Sequence, residues 1–413
     1  MTGDQERMVD LLRRLDEGPP RAARVDLAGA MHEGRRRRRA RRARSASAAG
    51  LAVLAAVSVP LTFGGDSGSR SGRAPQPAAP SVSREVSPSA SPPAGPTSCA
   101  AERLPVPGGY AKSVVTGGDP SGRYLLGRSY PGDGRGNPVI VWYGGRAFEY
   151  RLPGSDQRLV DVNPTGLAVG STYVNDRPRP YFLRGQKTAR LPGVEAGEAM
   201  AVSADGRVVG ARLDGERRRP VLWASVDTPA RDLPLPGSGW EGTAVGVDAD
   251  GTVVGKIQNG PSGSTRTVVW RAGGEPELLP VPSVDGGTAS EFVADTLQNG
   301  WITGAAFRDV GEVRKVYPVR YHLPSGRYEP LPQGVVPTAG NGRGWVIGYV
   351  GRLDTGLLTE SALVRLPDLD GRTGRYRTVA VSVSDDAAVV GGQLDVEPGA
   401  TGLVMQAVRW RCH

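Results

Sequence analysis

Chemistry in this 413-residue chain has few places to sit. There are three histidines, His32, His322 and His413, and two cysteines, Cys99 and Cys412. No two histidines stand at metal-ligand spacing and no Cys-x-x-Cys occurs, so a zinc site is not expected. The acidic turns "SADG" (203–206), "DADG" (248–251) and "DD" (385–386) each lack part of a reactive loop. The Asp-box of some hydrolases keeps a residue between Asp and Gly, whereas Asp205 and Gly206 are adjacent. A calcium loop needs further acidic ligands in series. Plain hairpin turns account for all three. Nucleophile–base pairs or facing carboxylates, which a hydrolase needs, do not stand out. Four tryptophans, Trp142, Trp223, Trp270 and Trp410, recur near one repeat position, which points to packing rather than sugar stacking. Trp240, Trp301 and Trp345 break that register, and Trp240, in "GSGWEG", is the expected ligand contact. No catalytic residue, metal or cofactor is assigned.

The elements that hold these residues repeat. A turn, a short apolar run and a closing glycine appear as "DPSGRYLLG", "NPTGLAVG", "ADGRVVG", "DADGTVVG", "QNGWITG", "GRGWVIG" and "DDAAVVG". They close at Gly127, Gly170, Gly210, Gly255, Gly304, Gly348 and Gly391, spaced 43, 40, 45, 49, 44 and 43 residues apart. Asp-Gly and Asn-Gly supply the positive φ of a tight hairpin. The flanking apolar runs are then two antiparallel strands. A third strand starts near proline ("PVIVW", "PYFL", "PVLW", "PVRYHL") and a fourth carries "LP". Four strands in about 44 residues is the size of one propeller blade. The expected fold is all-β, a seven-bladed β-propeller over residues 99–413. High glycine (59) and proline (35) agree with short strands and many turns.

The seventh unit has its third strand, "AVRW" (407–410), but no "LP" strand after it. A spare copy, "ERLPVPGG" (102–109), begins the domain. Pairing the two completes the last blade, closes the ring and removes a sheet edge. It also brings Cys99 near Cys412, and with two cysteines one intrachain bond is possible. Closing a loop of about 310 residues contributes roughly 5–6 kcal/mol as an upper figure.

The pattern A-V-(D/N)-x-x-G-x-V-V-G, then P-x-x-W, then L-P resembles the extracellular HAF-type repeat of secreted bacterial and archaeal proteins. The resemblance implies a propeller-like fold and an extracellular location, and it assigns no chemistry. The turn asparagine typical of that family is matched at Asn163 and Asn299, and Ala387 stands where a turn glycine is usual.

The first 98 residues differ in kind. Residues 1–44 hold 13 arginines against 7 acids, leaving 38 bases against 35 acids in the rest. A domain so near neutral is not an electrostatic nucleic-acid binder, and no nucleic-acid partner is expected. The basic block is Arg35, Arg36, Arg37, Arg38, Arg39, Arg41, Arg42 and Arg44. It precedes 18 uncharged residues, Ala46 to Phe63. As a helix these reach roughly 27 Å, against about 30 Å of hydrocarbon. A cleaved leader would have a shorter basic region and a small-x-small site. The expectation is an uncleaved transmembrane helix, 45–64, with a cytoplasmic tail, 1–44, and the remainder outside. Within the tail, Met8, Leu11, Leu12 and Leu15 form one stripe of a short amphipathic helix. Residues 65–98, rich in Pro, Ser, Ala and Gly, are expected to be a disordered spacer with a reach on the order of 100 Å. The layout resembles actinobacterial single-pass proteins.

Three functions fit. The first is a recognition module at the cell surface for a protein, glycan or cell-wall ligand. The second is transmembrane signalling, with residues 1–34 docking a cytoplasmic partner in the manner of an anti-sigma protein. The third is a propeller hydrolase with its site in the axial channel.

Overall fold

A computed structural model describes residues 95–132, 136–260, 263–272, 274–332, 334–351, 353–374, 377–396 and 404–413. The predicted tail, arginine block and transmembrane span lie outside these residues. So do residues 65–94 of the spacer. Among the described residues no helix is long and apolar enough to cross a membrane.

The first strand is β1 (Cys99–Arg103). Blade 1 is β2 (Ser113–Gly118), β3 (Tyr124–Ser129), β4 (Val139–Tyr143) and β5 (Arg146–Tyr150). Blade 2 is β6 (Ser155–Val162), β7 (Leu167–Val174), β8 (Arg177–Arg184) and β9 (Lys187–Arg190). Blade 3 is β10 (Gly197–Val202), β11 (Val208–Asp214), β12 (Arg217–Trp223) and β13 (Arg231–Asp232). Blade 4 is β14 (Trp240–Val247), β15 (Val253–Asn259), β16 (Thr265–Trp270) and β17 (Pro276–Leu278). A small hairpin, β18 (Ser283–Val284) with β19 (Gly287–Thr288), precedes blade 5. Blade 5 is β20 (Glu291–Gln298), β21 (Trp301–Val310), β22 (Val313–His322) and β23 (Arg327–Pro330). Blade 6 is β24 (Val336–Gly340), β25 (Val346–Tyr349), β26 (Thr355–Leu358) and β27 (Leu363–Arg365). Blade 7 is β28 (Thr378–Val383), β29 (Val389–Val396), β30 (Val404–Cys412) and, outermost, β1.

Among the described residues these make seven four-stranded antiparallel sheets, and the fold is a seven-bladed β-propeller. The ring closes as the sequence predicts. β1 pairs antiparallel with β30 from Cys99↔Cys412 to Arg103↔Val408, and the two cysteines form a disulfide. Contact with the ring begins before Cys99, because the Thr97 and Ser98 amides donate to the His413 carbonyl.

The "LP" segments fall just after the fourth strands, not within them. Every blade has one. Leu366–Pro367 of blade 6 completes the set that the repeat reading left one short. The seven leucines, Leu104, Leu152, Leu191, Leu233, Leu279, Leu331 and Leu366, are all buried. In six blades the leucine amide extends the ladder by one bond, as from Leu233 to Pro220 at 2.9 Å. Proline follows with no N–H to leave unmet. Its carbonyl then faces the next blade. The indoles of Trp142, Trp223, Trp270 and Trp410 donate to the carbonyls of Pro105, Pro192, Pro234 and Pro367 at 2.6–2.7 Å. Each buried tryptophan therefore fastens its blade to the one before it, which is the packing role expected from the sequence.

The closing glycines are steric requirements. A Cβ on Gly127 would lie 2.2 Å from the Val114 carbonyl and 2.5 Å from the Trp142 ring. In blade 7 the equivalent residue is Gly392, not Gly391. Its Cβ would meet the Val379 carbonyl at 2.1 Å and the Trp410 ring at 2.8 Å. The turn there, like that of blade 1, is one residue longer than in blades 2, 3, 4 and 6, with Ala387 at φ 56° in the glycine position.

Candidate functional site

The seven inner strands surround an axial channel of about 1250 Å³. Its wall is shaped by one repeated irregularity. In all seven blades the first two strands slip register at the same place, for example between Val115 and Gly117 and between Ala244 and Gly246. The bulge bends each inner strand and sets residues such as Val160, Met200, Val245, Asp295 and Val381 along the channel. The next position is Gly, Ala or Ser in five blades and Thr296 in blade 5, because the neighbouring blade comes close. A Cβ on Gly117 would stand 2.3 Å from the Val160 carbonyl. The exception is Asp161.

One end of the channel is ringed by the turns that follow the inner strands. These turns hydrogen-bond from blade to blade around the full circle. Arg123 donates to the Pro164 carbonyl, Asn163 to the Ser203 carbonyl and Arg207 to the Ala249 carbonyl. The Asp248 carboxylate accepts the Asn299 and Gly300 amides at 2.8 and 2.6 Å. Asn299 donates to the Gly342 carbonyl and Asn341 to the Ser384 carbonyl. The Asp385 carboxylate accepts the Gly342 amide, and the Asp385 amide donates to the Pro120 carbonyl at 2.7 Å, closing the ring.

The asparagine roles differ from those the repeat pattern pairs, Asn163 with Asn299. Asn163 and Asn341 act alike. Each side-chain oxygen accepts two amides of its own turn, and each amide nitrogen reaches the next blade. Asn299 belongs to a tighter turn, Asn299–Gly300, with φ 47° and 77°. Asn341 was missed because it precedes "GRG", where no Asn-Gly-x-apolar pattern marks it.

The electrostatics of this end are acidic. Asp161 is half-buried in the wall between blades 2 and 3, with part of its surface open to the channel. Its carboxylate accepts the Val202 amide at 2.8 Å and its neighbour Val162 at 3.0 Å. Burial pushes the group up to about 7, against the pull of those two donors, and the charge of Asp119 adds to the rise. Burial also raises Asp248, with smaller contributions from Asp250 and Asp385, and it raises Asp385, with smaller contributions from Asp386 and Asp119. Toward the other end, Glu198 pairs with Arg218 at 2.5 Å and Asp295 with Lys256 at 2.9 Å. The sequence signal for Asp161 was a lone acid in the apolar run "LVDV", easily read as a strand's solvent face.

The remaining candidates do not gather at the channel. Trp240 opens β14 rather than lying in a loop, packs against the core of blades 3 and 4, and is absent from the channel lining. Trp301 stacks on His322 at 4.4 Å, with the Arg320 guanidinium 4.8 Å from the indole. His322 Nδ1 lies 2.9 Å from Ser325 Oγ, an exposed contact within one turn. His413 is the terminal residue, its amide bonded to the Ser98 carbonyl. Among the described residues no three His, Cys, Asp or Glu side chains are grouped to hold a metal ion.

No protein-family model matches the chain. No curated protein matches it. Solved structures do. The β-propeller domain of the Trilobed protease from Pyrococcus furiosus is 8% identical, over 73% of this chain and 94% of that one, at a TM-score of 0.49. TolB from Acinetobacter baumannii is 13% identical, over 74% and 68%, at 0.42. The polysaccharide lyase Uly1 is 10% identical, over 70% and 88%, at 0.45. At such distances the strand order itself is what identifies this chain as a seven-bladed propeller, closed by its own first strand.

Proposed function

We propose that this protein is a membrane-anchored recognition module. In this reading residues 45–64 span the membrane and residues 1–44 stay in the cytoplasm. Residues 65–98 hold the propeller outside, where it meets a protein, glycan or cell-wall ligand. The observation that supports it best is the Cys99–Cys412 disulfide, a bond that persists in oxidising compartments. Recognition is favoured over turnover because the channel carboxylates serve as acceptors between blades. Asp161, Asp248 and Asp385 each hold a neighbouring blade's amide. Trp240 is half-buried and remains the proposed contact outside the channel.

Topology is tested in intact cells with a membrane-impermeant thiol reagent. Gln186→Cys, on an exposed turn of blade 2, should label without permeabilisation, and Gly18→Cys only after it. Equal or reversed labelling would refute the anchor. The second reading, signalling through the tail, rests on the Met8–Leu15 stripe. Deleting residues 1–30 should abolish capture of a cytoplasmic partner and leave surface binding intact.

A further inference from the structure

The imperfections of this ring are not spread evenly. Among the described residues, six buried side-chain atoms have no hydrogen-bond partner: Arg128 Nε, Ser129 Oγ, Trp345 Nε1, Asp368 Oδ2, Ser382 Oγ and Gln393 Oε1. Arg128 and Ser129 are on β3 of blade 1. Trp345 is in blade 6, and Asp368 is in the connection to blade 7. Ser382 and Gln393 are on β28 and β29 of blade 7. All six lie in the sector formed by blades 6, 7 and 1, and blades 2 to 5 contribute none. Leaving a buried polar group unmet costs more than a made bond contributes. Ser382 marks the seam itself, because a Cβ on Gly118 of blade 1 would stand 2.8 Å from its Oγ.

The same sector is the only one whose blade comes from both ends of the propeller. β1 is held by five register pairs, by the buried Leu104 side chain and by the Pro105 carbonyl that Trp142 grips at 2.6 Å. The Glu102 pairs with Arg409 and Arg411 are partly exposed and add little. The covalent bond joins the first of the five pairs, Cys99↔Cys412.

We propose that the ring has one built-in opening, the seam at blade 7, and that the Cys99–Cys412 disulfide is its lock. With the bond intact β1 stays in blade 7. With the bond reduced β1 leaves β30, while blades 2 to 5 keep their structure. Unlocking is a two-electron exchange with an external dithiol. The sulfur–sulfur bond breaks, Cys99 and Cys412 each end as a thiol, and the dithiol closes to its own cyclic disulfide. The device does not depend on the membrane reading.

Hydrogen exchange on the full chain, purified in mild detergent, tests it. Oxidised protein is compared with protein reduced after folding, and with a Cys99→Ser/Cys412→Ser variant where that variant folds. The expected result is a tenfold or greater rise in exchange at Cys99–Arg103 and Val404–Cys412 on reduction, with β6 to β17 unchanged. Unchanged protection of β1 after reduction would overturn the lock. A rise spread evenly over all seven blades would overturn the single seam.

Discussion

Seven seams join the blades, and they fall into two kinds. At four of them, 7 to 1, 2 to 3, 3 to 4 and 6 to 7, a tryptophan indole bonds the preceding proline carbonyl. At the other three the tryptophan position holds Leu183, Tyr321 or Leu358. The proline carbonyl is met all the same. Thr172 Oγ1 donates to Pro153 at 2.8 Å, Tyr328 Oη to Pro280 at 2.6 Å, and the Val335 amide to Pro332 at 3.2 Å. What the repeat preserves is a carbonyl that must find a donor, and the residue that supplies the donor varies.

The largest separation between the two kinds of seam should come from truncation. Trp223→Ala removes a fully buried side chain and the donor to Pro192, and should cost about 3–5 kcal/mol. Leu183→Ala, at the equivalent position of blade 2, loses packing alone and should cost about 2–4 kcal/mol. Paired denaturation midpoints check the order. Removing the disulfide with Cys412→Ser should cost about 2–5 kcal/mol, read as a fall in melting temperature relative to the oxidised protein. Smaller effects isolate the donor. Trp223→Phe and Tyr328→Phe each delete one bond to a proline carbonyl and should cost about 0.5–1.5 kcal/mol. If the phenylalanine variants were neutral at both seams, the carbonyl would not be what the repeat serves.

A further effect, separate from the proline carbonyls, is a pH dependence at the seam between blades 2 and 3. Burial raises Asp161 to about 7, above its value in the unfolded chain, so the folded state binds the proton more tightly. Its ionisation therefore opposes folding, and the opposition grows as pH rises from about 4 to about 7. Asp161→Asn should flatten that part of the stability profile and raise the midpoint at pH 8 more than at pH 4.5. Equal shifts at the two pH values would contradict the assignment.

Much of this was legible because period and turn chemistry are local. The Asp-Gly and Asn-Gly turns, the apolar runs and the spare "LP" at residue 104 predict seven blades and the closing strand. The bond from Trp223 to Pro192 was not legible, although both residues belong to recognised repeat segments. It joins adjacent blades 31 residues apart, and side-chain direction is invisible in a string. Gly392 was misplaced by one residue because two glycines adjoin and only the Val379 carbonyl and the Trp410 ring distinguish them. Asp161 is a single acid in the apolar run "LVDV" that nothing in the sequence singles out. Its burial follows from the bulge between Leu159 and Asp161, and no residue type announces that bulge.

The measurement that bears most directly on the closed ring is disulfide mapping of the full chain recovered under thiol-blocking conditions. Peptides containing Cys99 and Cys412 should appear linked to each other within one chain, with neither sulfur alkylated. Two blocked thiols, or a link between separate chains, would contradict the closure on which the fold and its seams rest.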